Sequence, residues 1–248
     1  MRQSKAGFFF LNVGHFLDHL FLLVFATAAL RLTIEWDMSY AEVIPYATPA
    51  FIAFGLGAIP AGWLADKWSR SGMMVVFFFG IGCASILAGM ANTPVQMSIC
   101  LTLIGLFAAI YHPVGLAMVV QGLEKTGVPL AINGVFGNMG VASAALLTGY
   151  FVDTAGWRSA FFIPGALSIA VGVAYFVFLK SGGGEVAVAS GGGRKAAQAV
   201  TLPKSVLLRL FGIILFTTAL GGLVFQSTTF SLPKVFDERL TDIADTTT

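Results

Sequence analysis

Four polar side chains interrupt a long apolar stretch near the start of the sequence: Asn12, His15, Asp18 and His19. At about 100° per residue on a helix they share roughly a third of the circumference, so one face carries them all. A carboxyl group among imidazoles can exchange a proton near neutral pH. We therefore expect this face to bind protons or a solute. The alternative is a polar cluster that only joins helices.

A second polar group lies in another apolar stretch, where Tyr111, His112 and Pro113 follow one another. Pro113 should kink a helix and free a backbone carbonyl. Tyr111 and His112 are further candidates for contacts with protons or a solute, and the alternative for His112 is a hydrogen-bonded residue at the kink. In the next apolar stretch Asn133 and Asn138 face either a solute or a neighbouring helix.

The sequence gives little support for catalytic or metal chemistry. His15 and His19 have the i, i+4 spacing of metal ligands, but no glutamate stands beside them, and His112 belongs to a different helix. Cys83 and Cys100 form no metal or redox spacing. No glycine-rich phosphate-binding motif with a lysine occurs. We therefore expect no enzyme, no cofactor and no metal ion.

The composition indicates the environment of these side chains. Of the 248 residues, 57% are hydrophobic and 10% are charged, whereas soluble domains have about 25% charged residues. The mean hydropathy is +0.86. The net charge of +2 comes without a basic run, so a nucleic-acid partner is not expected. This composition excludes an ordinary soluble protein and predicts an all-α protein integral to a lipid bilayer.

Seven apolar stretches are long enough to cross a bilayer, which takes about 20 residues. The predicted spans, numbered 1 to 7, cover residues 7–32, 41–65, 73–91, 95–120, 130–152, 159–179 and 205–230. At the rise of an α-helix, His15 and His19 lie about 12 and 18 Å along span 1. They therefore bracket the midplane of a core about 30 Å thick. Transporters place their binding sites at this depth.

Lysine and arginine predict the orientation of the spans, because cytoplasmic loops are enriched in both. The side that holds the N-terminus carries Arg2, Lys5, Lys67, Arg70, Lys125, Lys180, Arg194, Lys195 and Lys204. The opposite side carries Arg31, Arg158, Lys234 and Arg239. We therefore expect a multi-pass protein of the inner or plasma membrane with a cytoplasmic N-terminus.

The spans predict four regions along the chain. Residues 1–180 hold six spans, and residues 181–204 form a glycine-rich linker, which is expected to be cytoplasmic and flexible. Span 7 covers residues 205–230, and residues 231–248 form a polar tail. Because the sequence stops there without an eighth span, we expect the tail to be a truncation point.

The connection between spans 2 and 3 resembles the signature loop of the major facilitator superfamily, roughly G-x-x-x-D-[RK]-x-G-R-[RK]. The matching residues are Gly62, Asp66, Lys67 and Arg70. Ser69 and Ser71 depart from the family's glycine and its arginine or lysine. Physically, Gly62 allows close helix contact, and Asp66 can pair with Arg70 or meet the positive end of a helix. The alternative is an ordinary cytoplasmic turn with a chance ion pair.

Two further segments are similar to the same superfamily. Gly156, Trp157 and Arg158 resemble a pattern common between its spans 5 and 6, and the last two also suit an anchor at the membrane interface. Histidine followed by proline in span 4 resembles fosmidomycin-resistance-type members. The resemblance implies a six-helix bundle of two three-helix repeats, in which spans 1 and 4 correspond and line a central cavity.

Two features of proton-coupled drug exporters are missing. Leu101 stands four residues before Gly105, where those exporters often have arginine, and residues 130–152 lack their Gly-Pro pair. These absences disfavour drug antiport and leave symport, other antiport and facilitated movement open.

The resemblance implies a secondary transporter of a small organic solute that works by alternating access, and we expect it to be coupled to protons. Superfamily members usually have twelve spans, so the expected partner is a missing C-terminal half or a second copy. In the family the residue matching Asp66 helps lock the two halves, which gives the loop a gating role. The alternative is a half-size membrane scaffold or assembly partner that transports nothing.

Overall fold

The structure, a computed structural model, describes residues 4–183 and 203–244, and every regular element within these ranges is helical. The α-helices are α1 (Lys5–Glu35), α2 (Tyr40–Val43), α3 (Thr48–Lys67), α4 (Arg70–Gly89), α5 (Pro94–Ala108), α6 (Leu116–Val119), α7 (Gly127–Ala155), α8 (Ser159–Phe178) and α9 (Lys204–Ala244). A 3-10 turn at Ile44–Ala47 joins α2 to α3, and π-helical segments cover Tyr111–Gly115 and Leu179–Gly183.

Seven helical stretches of the described residues are long and apolar enough to cross a membrane. They are Lys5–Glu35, Tyr40–Lys67, Arg70–Gly89, Pro94–Val119, Gly127–Ala155, Ser159–Gly183 and Lys204–Leu240. Each contains most of one predicted span. The predicted all-α membrane protein is confirmed, and all but two of the fourteen helix ends lie within three residues of the prediction.

Side-chain caps explain where three of these helices begin. The hydroxyl oxygens of Ser4, Ser69 and Thr93 each accept a hydrogen bond from the backbone N–H three residues later, at 3.0–3.2 Å. Each cap satisfies a donor that the first turn of a helix leaves without an intrahelical partner. Ser69 therefore has a structural task at a position where the superfamily loop usually has glycine.

The first six spans pack in pairs that repeat. α1 packs along α7 (spans 1 and 5), α3 along α5 (spans 2 and 4), and α4 along α8 (spans 3 and 6). If spans 1, 2 and 3 are exchanged with spans 4, 5 and 6, the pair of spans 1 and 5 becomes the pair of spans 4 and 2. The same exchange leaves the pairing of spans 3 and 6 unchanged. Two three-helix repeats produce this pattern, in agreement with the expected bundle.

Small residues let α7 lie directly on α1. A Cβ atom on Gly140 would stand 2.3 Å from the backbone oxygen of Phe16, and one on Gly137 would stand 2.6 Å from the His15 ring. Gly134, one turn earlier on α7, has nothing within 4 Å of such an atom. The close approach of spans 1 and 5 therefore depends on Gly137 and Gly140.

Replacing Gly140 with alanine is expected to destabilise the bundle. The added methyl group would force α7 away from the α1 backbone, and overpacking of this kind costs about 1–3 kcal/mol. The matched control is Gly134→Ala, which adds the same methyl group to the same helix in open space. Thermal unfolding in detergent should show a lower Tm for Gly140→Ala alone. Equal Tm values for the two variants would contradict the close packing of α1 and α7.

Pro113 interrupts span 4, as the sequence predicts. α5 ends at Ala108, and the chain resumes as a π-helical segment at Tyr111–Gly115 before α6. Proline has no N–H to donate and its ring crowds the preceding turn, so a regular α-helix cannot continue through it. Tyr111 and His112 lie in this widened turn, where Tyr111 is fully buried and His112 is partly exposed.

α9 belongs to a second compact unit, separate from that of the first six spans. It continues to Ala244, so residues 231–244, predicted as part of a polar tail, are helical. Lys234 contacts Asp237 at 2.9 Å and Glu238 at 3.5 Å, the i, i+3 and i, i+4 pairs that support a helix. The predicted linker falls mostly on residues 184–202, which lie outside the described residues, as do residues 245–248.

Candidate functional site

The polar face of α1 is enclosed by protein. Asn12, His15 and Asp18 are 3%, 7% and 0% exposed, and His19 is partly buried. Spans 4 and 5 bring Tyr111, His112 and Asn133 against this face. Six of the eight predicted proton- or substrate-binding residues therefore lie together, and each contacts a residue of another span. His19 contacts this group through His15.

Three of these residues form an amide network that joins spans 1, 4 and 5. The Asn133 side-chain amide donates hydrogen bonds to Asn12 Oδ1 and to the Tyr111 hydroxyl oxygen, both at 2.9 Å. The Tyr111 hydroxyl donates to the backbone oxygen of Leu11 at 2.7 Å. Because the atoms are buried, each bond satisfies a polar group that would otherwise lie unpaired in an apolar bundle.

The imidazoles of His15, His19 and His112 form a second group, the histidine cluster. His15 Nδ1 lies 2.8 Å from the backbone oxygen of Asn133. A carbonyl oxygen only accepts hydrogen bonds, so Nδ1 carries the hydrogen and Nε2 of a neutral ring keeps its lone pair. That Nε2 atom lies 3.1 Å from His19 Nε2. The Tyr111 ring stacks on His15, with ring centroids 4.8 Å apart.

Asp18 lies beside the histidine cluster, next to His112. Its carboxyl group is inaccessible to solvent, and neither oxygen has a hydrogen-bond partner among the described residues. The nearest cationic candidate is His112, whose Nδ1 lies 3.4 Å from Asp18 Oδ2 and also lacks a hydrogen bond there. Burial of a carboxylate without donors is costly, so this position favours a bound proton or a neighbouring positive charge.

Asn138 does not join the cluster. Its side chain is exposed, whereas Asn133 on the same helix is fully buried. Five residues on an α-helix correspond to about 140° of rotation, so the two amides face different sides of α7. The two amides therefore do not lie together in this structure, and a direct contact between Asn138 and a solute stays a prediction.

The sequence matches the Major Facilitator Superfamily over residues 8–244. The chain belongs to this superfamily. Membership agrees with the predicted membrane protein of transporter type and with the expectation that the chain is not an enzyme. The narrower resemblance to fosmidomycin-resistance-type members stays a prediction.

Several named transporters are similar to this major facilitator chain. The probable 4-methylmuconolactone transporter of Cupriavidus pinatubonensis is 28% identical over 64% of the chain and 39% of its own length. The 4-hydroxybenzoate transporter PcaK of Pseudomonas putida is 25% identical over 66% of the chain and 37% of its own length. The multidrug transporter protein MdtP of Bacillus subtilis is 31% identical over 60% and 27%, respectively. The chain therefore spans two fifths or less of these relatives.

The superfamily loop forms the junction between α3 and α4. Asp66 Oδ1 accepts a hydrogen bond from Arg70 at 2.8 Å, which is the first of the two pairings that the sequence left open. A Cβ atom on Gly62 would lie 3.3 Å from Pro113, so this glycine faces the broken part of span 4. Asp66 and Lys67 are exposed. The ion pair joins the two helices at the surface, where such pairs contribute at most about 1 kcal/mol.

A second polar group, which the sequence did not indicate, lies at the opposite end of α1. Glu35 accepts hydrogen bonds from the Trp157 ring nitrogen and from Arg158, and Arg158 also donates to Asn92 Oδ1 at 3.1 Å. Trp157 is 3% exposed. It therefore packs inside the bundle, and the expected role as an interfacial anchor was wrong for this residue. An acidic residue at the end of an apolar span was the available signal.

Replacing Glu35 with alanine is expected to lower the free energy of unfolding by about 1–3 kcal/mol, because the buried Trp157 ring nitrogen would lose its acceptor. Glu35→Gln is the matched control, since the amide oxygen still accepts this bond. The pair with Arg158 is more than a third exposed on both sides and adds little. Thermal unfolding should place Glu35→Gln near the unmodified protein and Glu35→Ala several degrees lower. Equal losses would assign the effect to the ion pair instead.

Proposed function

We propose that the chain is the first half of a proton-coupled secondary transporter for a small organic solute. The observation that carries the proposal is Asp18, a wholly buried carboxyl group 3.4 Å from His112 in a candidate membrane span, with no hydrogen bond from residues 4–183 or 203–244. Ionisable groups within membrane spans are rare, because they are costly, and they mark ion and substrate pathways.

The contacts of Asp18 support a coupling mechanism. Span 1 contributes Asp18 and span 4 contributes His112, so a proton that moves onto or away from this pair changes the attraction between the two spans. In the superfamily arrangement these spans line the central cavity, and a change there biases which side of the membrane the cavity faces. The amide network holds spans 1, 4 and 5 in register while this change occurs.

Alternating access needs a second bundle against which the first can rock. We propose that this second bundle is a C-terminal half or a second copy of the chain. The lysine and arginine distribution supports a cytoplasmic N-terminus, and the Asp66 and Arg70 loop is then on the cytoplasmic side. Opening and closing of the two halves would then make and break contacts at this loop.

The names of two relatives give the first solutes to test, 4-hydroxybenzoate and 4-methylmuconolactone. The complete reading frame should be placed in vesicles with an imposed inward proton gradient, and uptake of each labelled solute measured with and without an uncoupler. We expect accumulation that the uncoupler abolishes, together with proton uptake into the vesicles. Accumulation that persists without a proton gradient would contradict the proposed proton coupling. Transport of no solute in a wider panel of small organic acids would favour the scaffold alternative.

A further inference from the structure

The histidine cluster has a geometry that the sequence did not indicate. His112 lies on a different helix from His15 and His19, yet the ring centroids stand 4.9, 5.4 and 5.4 Å apart, almost an equilateral triangle. One ring nitrogen from each histidine lies within 4.8 Å of the other two. Three imidazoles at these distances are a common ligand set for zinc and related divalent ions.

One hydrogen bond and one charged neighbour orient two of the rings for metal binding. His15 donates from Nδ1 to the backbone oxygen of Asn133, which leaves Nε2 as the ligand atom. His112 turns Nδ1 toward the Asp18 carboxyl group at 3.4 Å, which leaves its own Nε2. Metal-binding histidines regularly donate their second nitrogen to a carbonyl or carboxylate in this way, which fixes the tautomer and the ring.

A negative charge and short distances between ring nitrogens also favour a cation at the cluster. Asp18 is a buried acid without a hydrogen bond from the described residues, and a divalent ion on the adjacent rings would compensate its charge. Tetrahedral zinc requires ligand nitrogens about 3.4 Å apart. The Nε2 atoms of His15 and His19 are already 3.1 Å apart. The ligand nitrogens lie within 4.8 Å of one another, so the His112 ring has to move inward by at most about 1.4 Å, and its partial exposure allows that movement.

We propose that His15, His19 and His112 form a binding site for a divalent transition-metal ion such as Zn²⁺. Nε2 of each ring is a ligand, and the fourth position is open. Asp18 does not bind the ion but accepts the Nδ1–H of His112. The ion occupies the space that the shared proton takes between His15 and His19, so metal and protons compete for the same nitrogens. The proposal goes beyond the transport function and does not depend on it.

The test is a titration of the purified full chain, carried on a tag without histidine, with Zn²⁺ or Co²⁺ alone. These three are the only histidines in the sequence, so no other imidazole can contribute. We expect one ion per chain, visible absorption typical of tetrahedral Co²⁺, and affinity at least tenfold weaker in His15→Ala, His19→Ala and His112→Ala. Asp18→Asn should weaken affinity about tenfold, and Asp153→Asn, on the exposed end of α7, should not.

Failure to bind one ion per chain, or unchanged affinity in the three alanine variants, would overturn the proposal. Zinc X-ray absorption of the unmodified protein needs no variant and should show three nitrogen ligands at about 2.0 Å, so it decides the matter even if a variant does not fold. A zinc X-ray absorption spectrum that shows oxygen ligands alone would overturn the proposed histidine site. Uptake is measured separately in the presence of a chelator, so the metal site and the transport function can each fail without the other.

Discussion

Asp18→Asn is expected to abolish solute accumulation driven by a proton gradient, with a fall of at least tenfold in the accumulated level. Asparagine has nearly the same size as aspartate, but its side chain does not gain or lose a proton near neutral pH. It therefore leaves the packing of α1 intact and removes the group that we propose to carry the proton. Accumulation in vesicles that contain the complete reading frame is the measurement.

Exchange of labelled for unlabelled solute distinguishes a coupling role from a structural one. Exchange needs the cavity to open alternately on both sides with solute bound, but it needs no net proton movement. We expect Asp18→Asn to retain exchange and the Tm of the unmodified protein while it loses accumulation. Asp153→Asn is the matched control and should retain all three properties, because Asp153 is exposed near the end of α7. Accumulation that survives in Asp18→Asn with unchanged pH dependence would assign the coupling proton to another group.

Much of the fold was predictable, because the bilayer imposes long apolar helices on the sequence. The seven spans and the break at Pro113 follow from local properties that one helix shows by itself. The polar face of α1 was also predictable, because residues 12, 15, 18 and 19 share a helical face whatever lies opposite. The structure places this face in the most buried of the seven spans.

The partners of that face were not predictable from one sequence. The contact of Asp18 with His112 spans 94 positions, and that of His15 with the Asn133 oxygen spans 118. Both depend on how spans 1, 4 and 5 pack, and Gly137 and Gly140 allow that packing by contacts with α1 that composition does not reveal. The atom of Asn133 that accepts the hydrogen bond from His15 is a backbone oxygen, so the type of residue does not reveal it.

Residue type alone was misleading where a polar side chain had a hydrogen-bond partner. Trp157 and Arg158 suited a membrane interface by type, but Glu35 at the end of α1 accepts hydrogen bonds from both. Residue type was also misleading at the end of α9. Its charged residues suggested a tail, whereas contacts between Lys234 and the acidic residues that follow it support a helix.

Asn133→Leu is expected to produce the largest loss of stability among the variants considered. Leucine has similar size but makes none of the hydrogen bonds to Asn12 and Tyr111, and both groups would remain buried. Hydrogen bonds between membrane helices contribute about 0.6–1.7 kcal/mol each. The two lost bonds and the unpaired groups should therefore lower the free energy of unfolding by about 2–4 kcal/mol, which corresponds to a Tm lower by roughly 4–16 °C.

Asn138→Leu makes the same chemical change five residues further along the same helix, on an exposed side chain, and should leave the Tm unchanged. The two variants together separate the two roles that the sequence left open for these amides. A lower Tm in Asn133→Leu alone assigns Asn133 to the joint between spans 1, 4 and 5. Reduced uptake without a change of Tm in Asn138→Leu would assign Asn138 to the solute. Equal Tm values in both variants would contradict the amide network, because the buried and the exposed asparagine would then be equivalent.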